Sequence, residues 1–346
     1  MKQNKISITE LANTFGVSPS TVSRAVNDLP GVSEELRAKI KEYARKTGYH
    51  SRLTGRGKAP ETTNVVAVII GDVRNVFYSE LVFSIQRVLR EHGYLLAVYY
   101  SEYNEKQEIQ YIRLAGSSNV AGIIQVTVAS EAISQELSQV AVPIVMVNRM
   151  INTFDTDVVL LDNYEAGYIA TARLIELGHS EIGFLRGQTQ SSASIQRFEG
   201  YLQAMKNYHL PVEDKFVLQG DLTMKTAYEQ GKNLMATVDH LPTAMVASND
   251  ISAYGLMTAL QEYGVKIPTN LSLVSFDNLQ MSDMRGISLS SVDPQVHYMG
   301  STAANLMLRR IQDPTRETER VIVKPKLIER HSLLAYKDTT QFRKLR

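Results

Sequence analysis

The sequence predicts an α/β protein in which a small all-α head precedes two lobes, each built on a doubly wound parallel sheet. Three observations predict this architecture. At 346 residues the chain exceeds the usual size of one domain, so two or three compact units are expected. Its N-terminal segment shows only the helical spacing of apolar residues. From Val65 onward short β-branched runs alternate with helical periods, and the alternation restarts midway, which indicates two similar halves.

Composition excludes several functional classes. A hydrophobic fraction of 44% and a charged fraction of 21% are typical of a soluble globular protein. The chain has no cysteine and its seven histidines are scattered without ligand spacing, so we expect no metal and no cofactor. The sequence shows no N-terminal apolar region, and no later stretch reaches the ~18 apolar residues of a membrane span, so we expect a cytoplasmic protein.

The net charge of +1 conceals an uneven distribution. The segment from Met1 to Lys58 holds 11 Lys and Arg against 5 Asp and Glu, and the remainder holds 26 against 31. The head therefore carries +6 and the body −5. A basic head on an acidic body is typical of a phosphate-binding module joined to a domain that does not bind nucleic acid.

The first two predicted helices are joined by a tight turn. The first has apolar residues at the i, i+3, i+4 and i+7 positions of one helix face, namely Ile8, Leu11, Ala12 and Phe15. Gly16 can take the positive φ that ends this helix. Ser18 followed by Pro19 is a strong start signal, because the hydroxyl caps the helix and proline suits its first position. The second helix is predicted from Pro19 to Asn27.

A third helix, capped by Ser33, is predicted to run to about Lys46, before Gly48. Its apolar positions are expected to pack on the first two helices through Leu36, Ile40 and Tyr43 or Ala44. The second helix keeps a short, polar and basic face outward, made of Ser20, Thr21, Ser23, Arg24 and Asn27. Such a face suits the major groove of DNA, where hydroxyls reach bases or phosphates and an arginine can bond guanine through two donors. The pattern is that of a helix-turn-helix head.

The string ITELANTFGVSPSTVSRAVNDLPGVSEELRAKIKEYARKTGY closely resembles the headpiece of the LacI/GalR family of bacterial regulators. The likeness lies in the GVSxxTVSRxxN core, the VSEExR start of the third helix and the closing GY. Helical spacing alone would also fit a purely structural hairpin, whereas the resemblance implies binding of double-stranded operator DNA. The DNA-contacting residues are expected to be Thr9, Ser18, Ser20, Thr21, Ser23, Arg24, Asn27 and Arg56.

The body shows two successive sets of strands. The first set comprises the runs VVAVII, LLAVYY, GIIQV and PIVMV, which ends near Val147. After VVLL and a predicted helix from Tyr164 to Leu177, the second set comprises EIGFLR, FVLQ, AMVAS and LSLVSF. With two such lobes, the expected site is the crevice between them, at the carboxyl ends of the strands.

Polar residues follow these strand ends repeatedly. Each alone is more often a helix cap than a ligand contact, but their recurrence at successive strand ends favours a binding site. No GxGxxG follows a strand, and neither GxxxxGK[ST] nor GxSxG occurs, so dinucleotide, nucleoside-triphosphate and serine-hydrolase functions lack support. We therefore expect a crevice that binds without catalysis, and no enzyme.

The resemblance to the LacI/GalR family continues over nearly the whole chain. Stretches such as DNYEAGYIATARLIELGHSEIGFLRG and ASNDISAYGLMTALQEYGVKIPTNLSLVSFDN are similar to its periplasmic-binding-protein-like effector domain. By position, the resemblance implies Arg197, Asn249 and Asp277 as polar effector ligands, with Phe77 and Tyr78 as an aromatic wall.

These residue types suit a polyol ligand. A carboxylate can accept hydrogen bonds from two vicinal hydroxyls, guanidinium and amide groups donate back, and an aromatic face packs on the C–H side of a pyranose. Asn148 and Asp162 match positions that line the pocket in some family members. Other members take a purine, a phosphorylated sugar or an adaptor protein, and these alternatives stay open.

The segment between head and body departs from the family pattern. The family usually reads YxPNxxARxL there and forms a hinge helix whose leucine wedges into the minor groove, whereas this chain reads YHSRLTGRGKAPETT. Arg56 falls on the family's arginine, but Lys58 stands at the leucine position, and Leu53 is the only large apolar substitute. Helix formation is further opposed, by about 1 kcal/mol per glycine and more for proline, at Gly55, Gly57 and Pro60.

The predicted domains are a head, a linker, an effector-binding and dimerisation domain and a tail, over residues 1–58, 59–63, 64–335 and 336–346. Lobe one is expected to comprise about 64–162 and 292–323, and lobe two about 163–291 and 324–335. The tail AYKDTTQFRKLR has no sustained apolar heptads, which favours a homodimer over a tetramer.

The resemblance implies a sequence-specific transcription regulator, a repressor controlled by a small sugar or sugar-derived effector. The alternative is a regulator of the same fold controlled by a protein partner or a purine-like ligand. A periplasmic transport receptor would need a signal peptide and has no use for the head. A sugar-metabolising enzyme would need a base or nucleophile paired within the cleft, and the sequence offers no recognisable pairing.

Overall fold

The computed structural model describes residues 8–26, 30–47, 63–126, 130–151, 153–189 and 191–336. Contacts divide the chain into two compact units, residues 1–61 and 62–346. No helix in the described ranges is long and apolar enough to cross a membrane.

The first unit contains the three predicted helices, α1 (Ile8–Phe15), α2 (Pro19–Val26) and α3 (Glu34–Thr47). Gly16 ends α1 with a φ of 62°, as the sequence predicts. The Ser18 hydroxyl accepts a hydrogen bond from the Thr21 amide at 3.2 Å, which caps α2, and Ser33 caps α3 in the same way. The helices enclose a small core of Leu11, Ala12, Val22, Ala25, Ile40 and Ala44.

Lobe one of the second unit is a parallel sheet with the strand order β11-β5-β4-β3-β1-β2. Its strands are β1 (Val65–Ile70), β2 (Leu95–Tyr100), β3 (Gly122–Gln125), β4 (Ile144–Val147), β5 (Asp157–Leu161) and β11 (Arg320–Val323). The intervening helices are α4 (Val76–Glu91), α5 (Glu105–Ser117) and α6 (Glu131–Leu137).

Lobe two is a second sheet with the order β12-β10-β9-β8-β6-β7. Its strands are β6 (Ile182–Leu185), β7 (Val217–Leu218), β8 (Ala244–Ala247), β9 (Ser272–Phe276), β10 (Ser290–Asp293) and β12 (Lys326–Ile328). The helices of this lobe are α7 (Asn163–Glu176), α8 (Ser192–Asn207), α9 (Met224–Thr237) and α10 (Asp250–Glu262). The last long helix, α11 (Val296–Gln312), packs on lobe one. The chain passes between the two sheets after β5, after β10 and after β11.

Both sheets are covered on both faces, which confirms the doubly wound architecture. In β1, Val66, Val68 and Ile70 face one core cluster, which also contains residues of α4 and α11. Ala67 and Ile69 face the other, with residues of α5 and α6. This alternation is the two-residue period of a strand buried on both sides.

The structure departs from the predicted strands in three ways. The predicted runs do not include β10, β11 or β12. The run FVLQ contributes only β7, because Phe216 belongs to a short 3₁₀ helix, Asp214–Phe216. In addition, β12 pairs with β10 in the antiparallel direction, so lobe two has one antiparallel edge strand on an otherwise parallel sheet.

Candidate functional site

The candidate site is centred on Arg197, which lies on α8 in lobe two and is only 7% exposed. Its Nε donates to Asn163 Oδ1 at 2.9 Å, and its Nη1 donates to the Ser248 carbonyl at 2.6 Å. The same Nη1 lies 3.5 Å from Asp277 Oδ1, and the guanidinium carbon lies 4.6 Å from the ring centroid of Phe276. These contacts hold the guanidinium in one orientation at the carboxyl ends of the strands.

A close crossing of α7 and α8 brings Arg197 to Asn163. A Cβ at Gly200 of α8 would collide with the carbonyl of Tyr164 on α7, and a Cβ at Gly167 of α7 would collide with the carbonyl of Arg197. Because only glycine permits these backbones to approach so closely, the two small residues position the site.

Asp277 follows β9 with a φ of 100°, in a conformation that few non-glycine residues adopt. Burial raises the pKa of its carboxyl, and the Arg197 guanidinium partly offsets that rise. The pair is therefore a desolvated ionic donor and acceptor held side by side. Such a pair makes strong hydrogen bonds to any polar ligand that reaches it.

Tyr78 and Phe77 lie at the start of α4, on the lobe-one side. Both are buried, and their rings pack edge to face with centroids 5.3 Å apart. The Tyr78 ring lies 6.3 Å from that of Tyr103. Burial raises the pKa of Tyr78; the positive charge of Arg149 opposes the shift, and the negative charge of Asp277 adds to it. Tyr78 is therefore close to charged groups of both lobes.

Arg149 connects the two lobes and was missed by the sequence analysis as a site residue. It follows β4 in lobe one, and its Nη2 donates to the hydroxyl of Ser191, the N-cap residue of α8 in lobe two, at 3.0 Å. Burial lowers the pKa of Arg197, Asp277 opposes that shift, and the positive charge of Arg149 adds to it, which indicates that the two guanidiniums are near each other. The only sequence signal was its position at a strand end, beside Asn148.

Two of the predicted effector ligands act as helix caps. Asp162 accepts a hydrogen bond from the Glu165 amide at 3.0 Å and caps α7. Asn249 accepts one from the Ser252 amide at 2.9 Å and caps α10, while its Nδ2 donates to the Leu222 carbonyl at 3.3 Å. Helix capping, which is the purely structural role of such residues, is therefore present at both positions.

The structure brings some predicted residues together more closely than others. Arg197 contacts Asp277 directly and donates to the carbonyl of Ser248, the residue that precedes Asn249. Asn148 has a φ of 60° and is partly exposed next to Arg149. Phe77 and Tyr78 are both part of the lobe-one core, so each ring offers only a narrow edge as free surface.

On the head, the polar face of α2 remains accessible. Ser18, Ser20 and Arg24 are exposed, and the Ser18 hydroxyl lies 2.7 Å from that of Ser20 and 2.9 Å from that of Thr21. Thr9 is exposed on α1, and Ser23 is partly buried. The two other predicted DNA contacts, Asn27 and Arg56, lie outside the described residues, as do Leu53 and Lys58.

A cavity of about 300 Å³ lies in lobe one, away from the Arg197 cluster, and contains none of the predicted site residues. Its lining combines apolar side chains, such as Met146 and Phe154, with polar and charged ones, such as Asp155 and Arg320. Within the described ranges, no group of three or more His, Asp or Glu side chains could hold a metal ion. We therefore place the candidate site at the charged cluster between the lobes.

Comparison with known proteins supports both units. The family model described as "Periplasmic binding proteins and sugar binding domain of LacI family" matches residues 63–331, and "Bacterial regulatory proteins, lacI family" matches residues 7–51. Catabolite control protein A of Priestia megaterium is 30% identical over 94% of this chain and 98% of its own length. DegA of Bacillus subtilis is 27% identical over 95% of this chain and 98% of its own length. The repressor PurR of Vibrio cholerae is 28% identical over 96% of this chain and 99% of its own length.

Solved structures agree. A CelR–cellobiose complex, 23% identical, superimposes with a TM-score of 0.71 over 95% of this chain and all of that chain. An Enterococcus faecium regulator with bound ribose, 25% identical, superimposes with a TM-score of 0.70 over 79% of this chain and all of that chain. An Escherichia coli sugar-binding regulator complexed with phosphate, 27% identical, superimposes with a TM-score of 0.71 over 80% of this chain and all of that chain.

A helix-turn-helix head followed by a two-lobed binding domain defines a class of DNA-binding transcription regulators. This chain belongs to the LacI family of that class.

Proposed function

We propose that the protein is an operator-binding repressor whose affinity for DNA is set by a small sugar or sugar-derived effector held between the two lobes. The observation that carries this proposal is the Arg197–Asp277 pair, buried at the carboxyl ends of the strands where lobe one contributes Tyr78 and Arg149. A ligand that contacts both lobes would fix their separation, which links its binding to the state of the domain.

A polyol fits the chemistry of the cluster. Asp277 supplies the acceptor for ligand hydroxyls, Arg197 and Asn249 supply donors, and Tyr78 supplies an aromatic edge. Relatives of the same fold were solved with ribose and with cellobiose, which supports a carbohydrate. Asn148 and Asp162 are proposed as further lining residues, and Phe77 as support for Tyr78.

The remaining features of the proposal follow from the family. We infer a cytoplasmic homodimer that binds double-stranded operator DNA and has no catalytic activity. Its functional parts are a head over 1–58, a linker over 59–63 and an effector-binding and dimerisation domain over 64–335. The DNA contacts come from the face of α2 together with Thr9, Asn27 and Arg56.

A purine-like effector is the second candidate, because the PurR repressor of Vibrio cholerae is similar to nearly the whole chain. An aromatic base would contact the edge of the Tyr78 ring and use the same donors. Control by a protein partner would leave the Arg197–Asp277 pair without a function in regulation, so the buried pair favours a small molecule.

Operator binding tests the DNA half of the proposal. Arg24→Ala should lose specific binding in a gel-shift titration at fixed salt while its far-UV circular dichroism stays unchanged, since a bidentate base contact contributes ~1–3 kcal/mol. The exposed Arg90→Ala on α4 is a matched control. Wild-type affinity in Arg24→Ala would show that α2 is not the reading helix.

Effector control is tested with the same operator fragment. A panel of sugars, sugar derivatives and purines is screened by thermal shift, and each compound that stabilises the protein is added to the gel shift. A sugar that changes operator affinity supports the proposal, whereas a response confined to purines would replace the carbohydrate with the second candidate.

A further inference from the structure

The cleft contains more guanidinium groups than carboxylates that face them. Two guanidiniums, those of Arg149 and Arg197, lie close enough for each to affect the ionisation of groups around it, and Asp277 is the carboxylate that faces them. Asp277 is engaged with Arg197 at 3.5 Å. Arg186, at the carboxyl end of β6, adds a third guanidinium, placed 4.3 Å from the ring centroid of Phe198.

Arg149 forms no ion pair among the described residues. Its Nη2 donates to the neutral hydroxyl of Ser191, and its Nη1 makes a long contact of 3.4 Å to the carbonyl of its own neighbour, Asn148. A partly buried guanidinium with only neutral acceptors can gain strongly from an anionic oxygen, because charge-assisted hydrogen bonds are roughly twice as strong as neutral ones.

Most other acidic groups near the strand ends have partners, and Glu102, which follows β2, is exposed to solvent. Asp72 is held by Arg74, whose Nη2 lies 2.8 Å from the carboxylate. Asp162 caps α7, and Asp221 accepts from Thr223 and Thr226. Asp250 lies fully buried among serine hydroxyls. Between residues 63 and 336, the sequence positions outside the described ranges hold no acidic residue, being Thr127, Val128, Ala129, Asn152 and Gln190.

We propose that the effector carries an anionic group, a phosphate or a carboxylate, that binds Arg149 while its hydroxyls bind the Arg197–Asp277 pair. This inference rests on the proposed function and narrows its ligand class from sugars to sugar phosphates and sugar acids. The anion would take the place of the Ser191 hydroxyl on Arg149 and so bridge the same two lobes.

Matched ligands test the inference on the full-length protein. For each of several pentoses and hexoses, the free sugar, its phosphate ester and its uronic or aldonic acid are titrated by calorimetry. In a thermal-shift assay, inorganic phosphate is compared with chloride at equal ionic strength. This comparison measures anion binding without a sugar. Every titration is repeated with Arg149→Gln and with the exposed control Arg90→Gln.

We expect binding by at least one anionic sugar, with an affinity about tenfold or more above that of its neutral parent. Arg149→Gln should remove that advantage and the stabilisation by inorganic phosphate, whereas Arg90→Gln should keep both. Preference for the ester over the acid would identify phosphate as the anion, and the reverse would identify a carboxylate.

Three results would overturn the inference. They are a neutral sugar that binds as tightly as its anionic partners, an anionic sugar whose affinity is the same in Arg149→Gln, and the absence of any Arg149-dependent response to sugar anions and inorganic phosphate. In the first case a neutral sugar that also changes operator affinity leaves the proposed function intact. Binding of purines alone would overturn this inference and would replace the carbohydrate of the proposed function with the second candidate.

Discussion

At the scale of single residues, the buried Arg197–Asp277 pair determines which substitution can test the effector site. Removing one partner of a buried ion pair leaves the other charge uncompensated and typically costs about 3–5 kcal/mol. Asp277→Ala would therefore weaken the domain as well as the site. Asparagine keeps the size of the side chain and one acceptor oxygen, so it changes the chemistry with less disturbance of packing.

We expect Asp277→Asn to lose most of the effector response while keeping ligand-free operator affinity within about twofold. The reason is that the carboxylate faces the cleft, where only a ligand between the lobes would use its second oxygen, and couplings between sites are typically about 1–3 kcal/mol. Calorimetry with the effector and gel shifts without it measure the two quantities. A wild-type effector affinity in this variant would move the site away from the Arg197 cluster.

Asp250 is a second buried carboxyl, placed directly behind the site. It accepts hydrogen bonds from the hydroxyls of Ser275, Ser282 and Ser291 and from the Leu279 amide. Burial, together with the charge of Asp277, raises its pKa to about 6. A folded-state pKa above the unfolded value contributes stability that is fully present below about pH 4 and is lost as the pH rises through about 6.

Wild type should therefore gain stability relative to Asp250→Asn as the pH falls from about 7 to about 4, by at most about 3 kcal/mol. Urea unfolding of both proteins across this range measures the difference. A constant offset between the two proteins does not bear on the test, because the prediction concerns how their difference in stability changes with pH. A constant difference, or one of opposite slope, would mean that the four donors hold the pKa at or below its usual value.

At the scale of elements, the sequence predicted most strands to within about one residue. Their apolar runs are buried on both faces, so periodicity and length agree. Three strands, β10, β11 and β12, were not predicted, and β10 lies inside its sheet. At the sheet edges, β7 is short because Phe216 turns into a 3₁₀ helix, and β12 runs antiparallel. Edge strands have one neighbour rather than two, and nothing in a short run of residues specifies its direction.

The site was less predictable than the fold. A polar residue after a strand can be a helix cap, a ligand contact or both, and Asp162 and Asn249 illustrate this, since both cap helices. Arg149 had the same sequence signal as other strand-end residues, and only its contact with Ser191 across the cleft distinguishes it. Long-range pairing of this kind has no local sequence pattern.

The crossing of α7 and α8 is an element-scale feature that can be tested. Gly200→Ala improves helix propensity by about 1 kcal/mol, but the new Cβ meets backbone atoms of α7, including the Tyr168 amide at 2.7 Å. Because backbone cannot move aside as a side chain does, we expect a net loss of about 1–3 kcal/mol in the free energy of unfolding.

The displacement of α8 should also weaken effector binding, since Arg197 and Asn163 lie on the two helices that would separate. Gly286→Ala is the control, because no atom lies within 4 Å of its added Cβ. Chemical unfolding and calorimetry report the two effects. Unchanged stability in Gly200→Ala would mean that the two helices can shift apart without cost.

At the scale of the whole molecule, the head and the body differ in net charge as well as in function. The basic residues of the head serve an electrostatic interaction with phosphates, which falls steeply with salt, whereas the body carries a net charge of −5 and is proposed to recognise its ligand through a few desolvated groups. Effector binding and operator binding should therefore respond very differently to ionic strength, although the two are linked within one chain. We expect the segment around Lys58 to add to the electrostatic part of the DNA affinity.

Lys58 stands where the family usually places a minor-groove leucine, and a lysine cannot unstack a base step, although its ammonium can reach a phosphate. Lys58→Ala should therefore lower the slope of log K against log salt by about 0.9, the value for one phosphate contact on B-DNA, whereas Arg90→Ala in the body should leave it unchanged. Leu53→Ala should alter operator bending little, because no wedge is expected. Gel shifts over a salt series and a circular-permutation bending assay measure both quantities. If Leu53→Ala instead abolishes bending together with specific binding, then Leu53 is the displaced wedge and the segment folds into a hinge helix on DNA despite Gly55, Gly57 and Pro60.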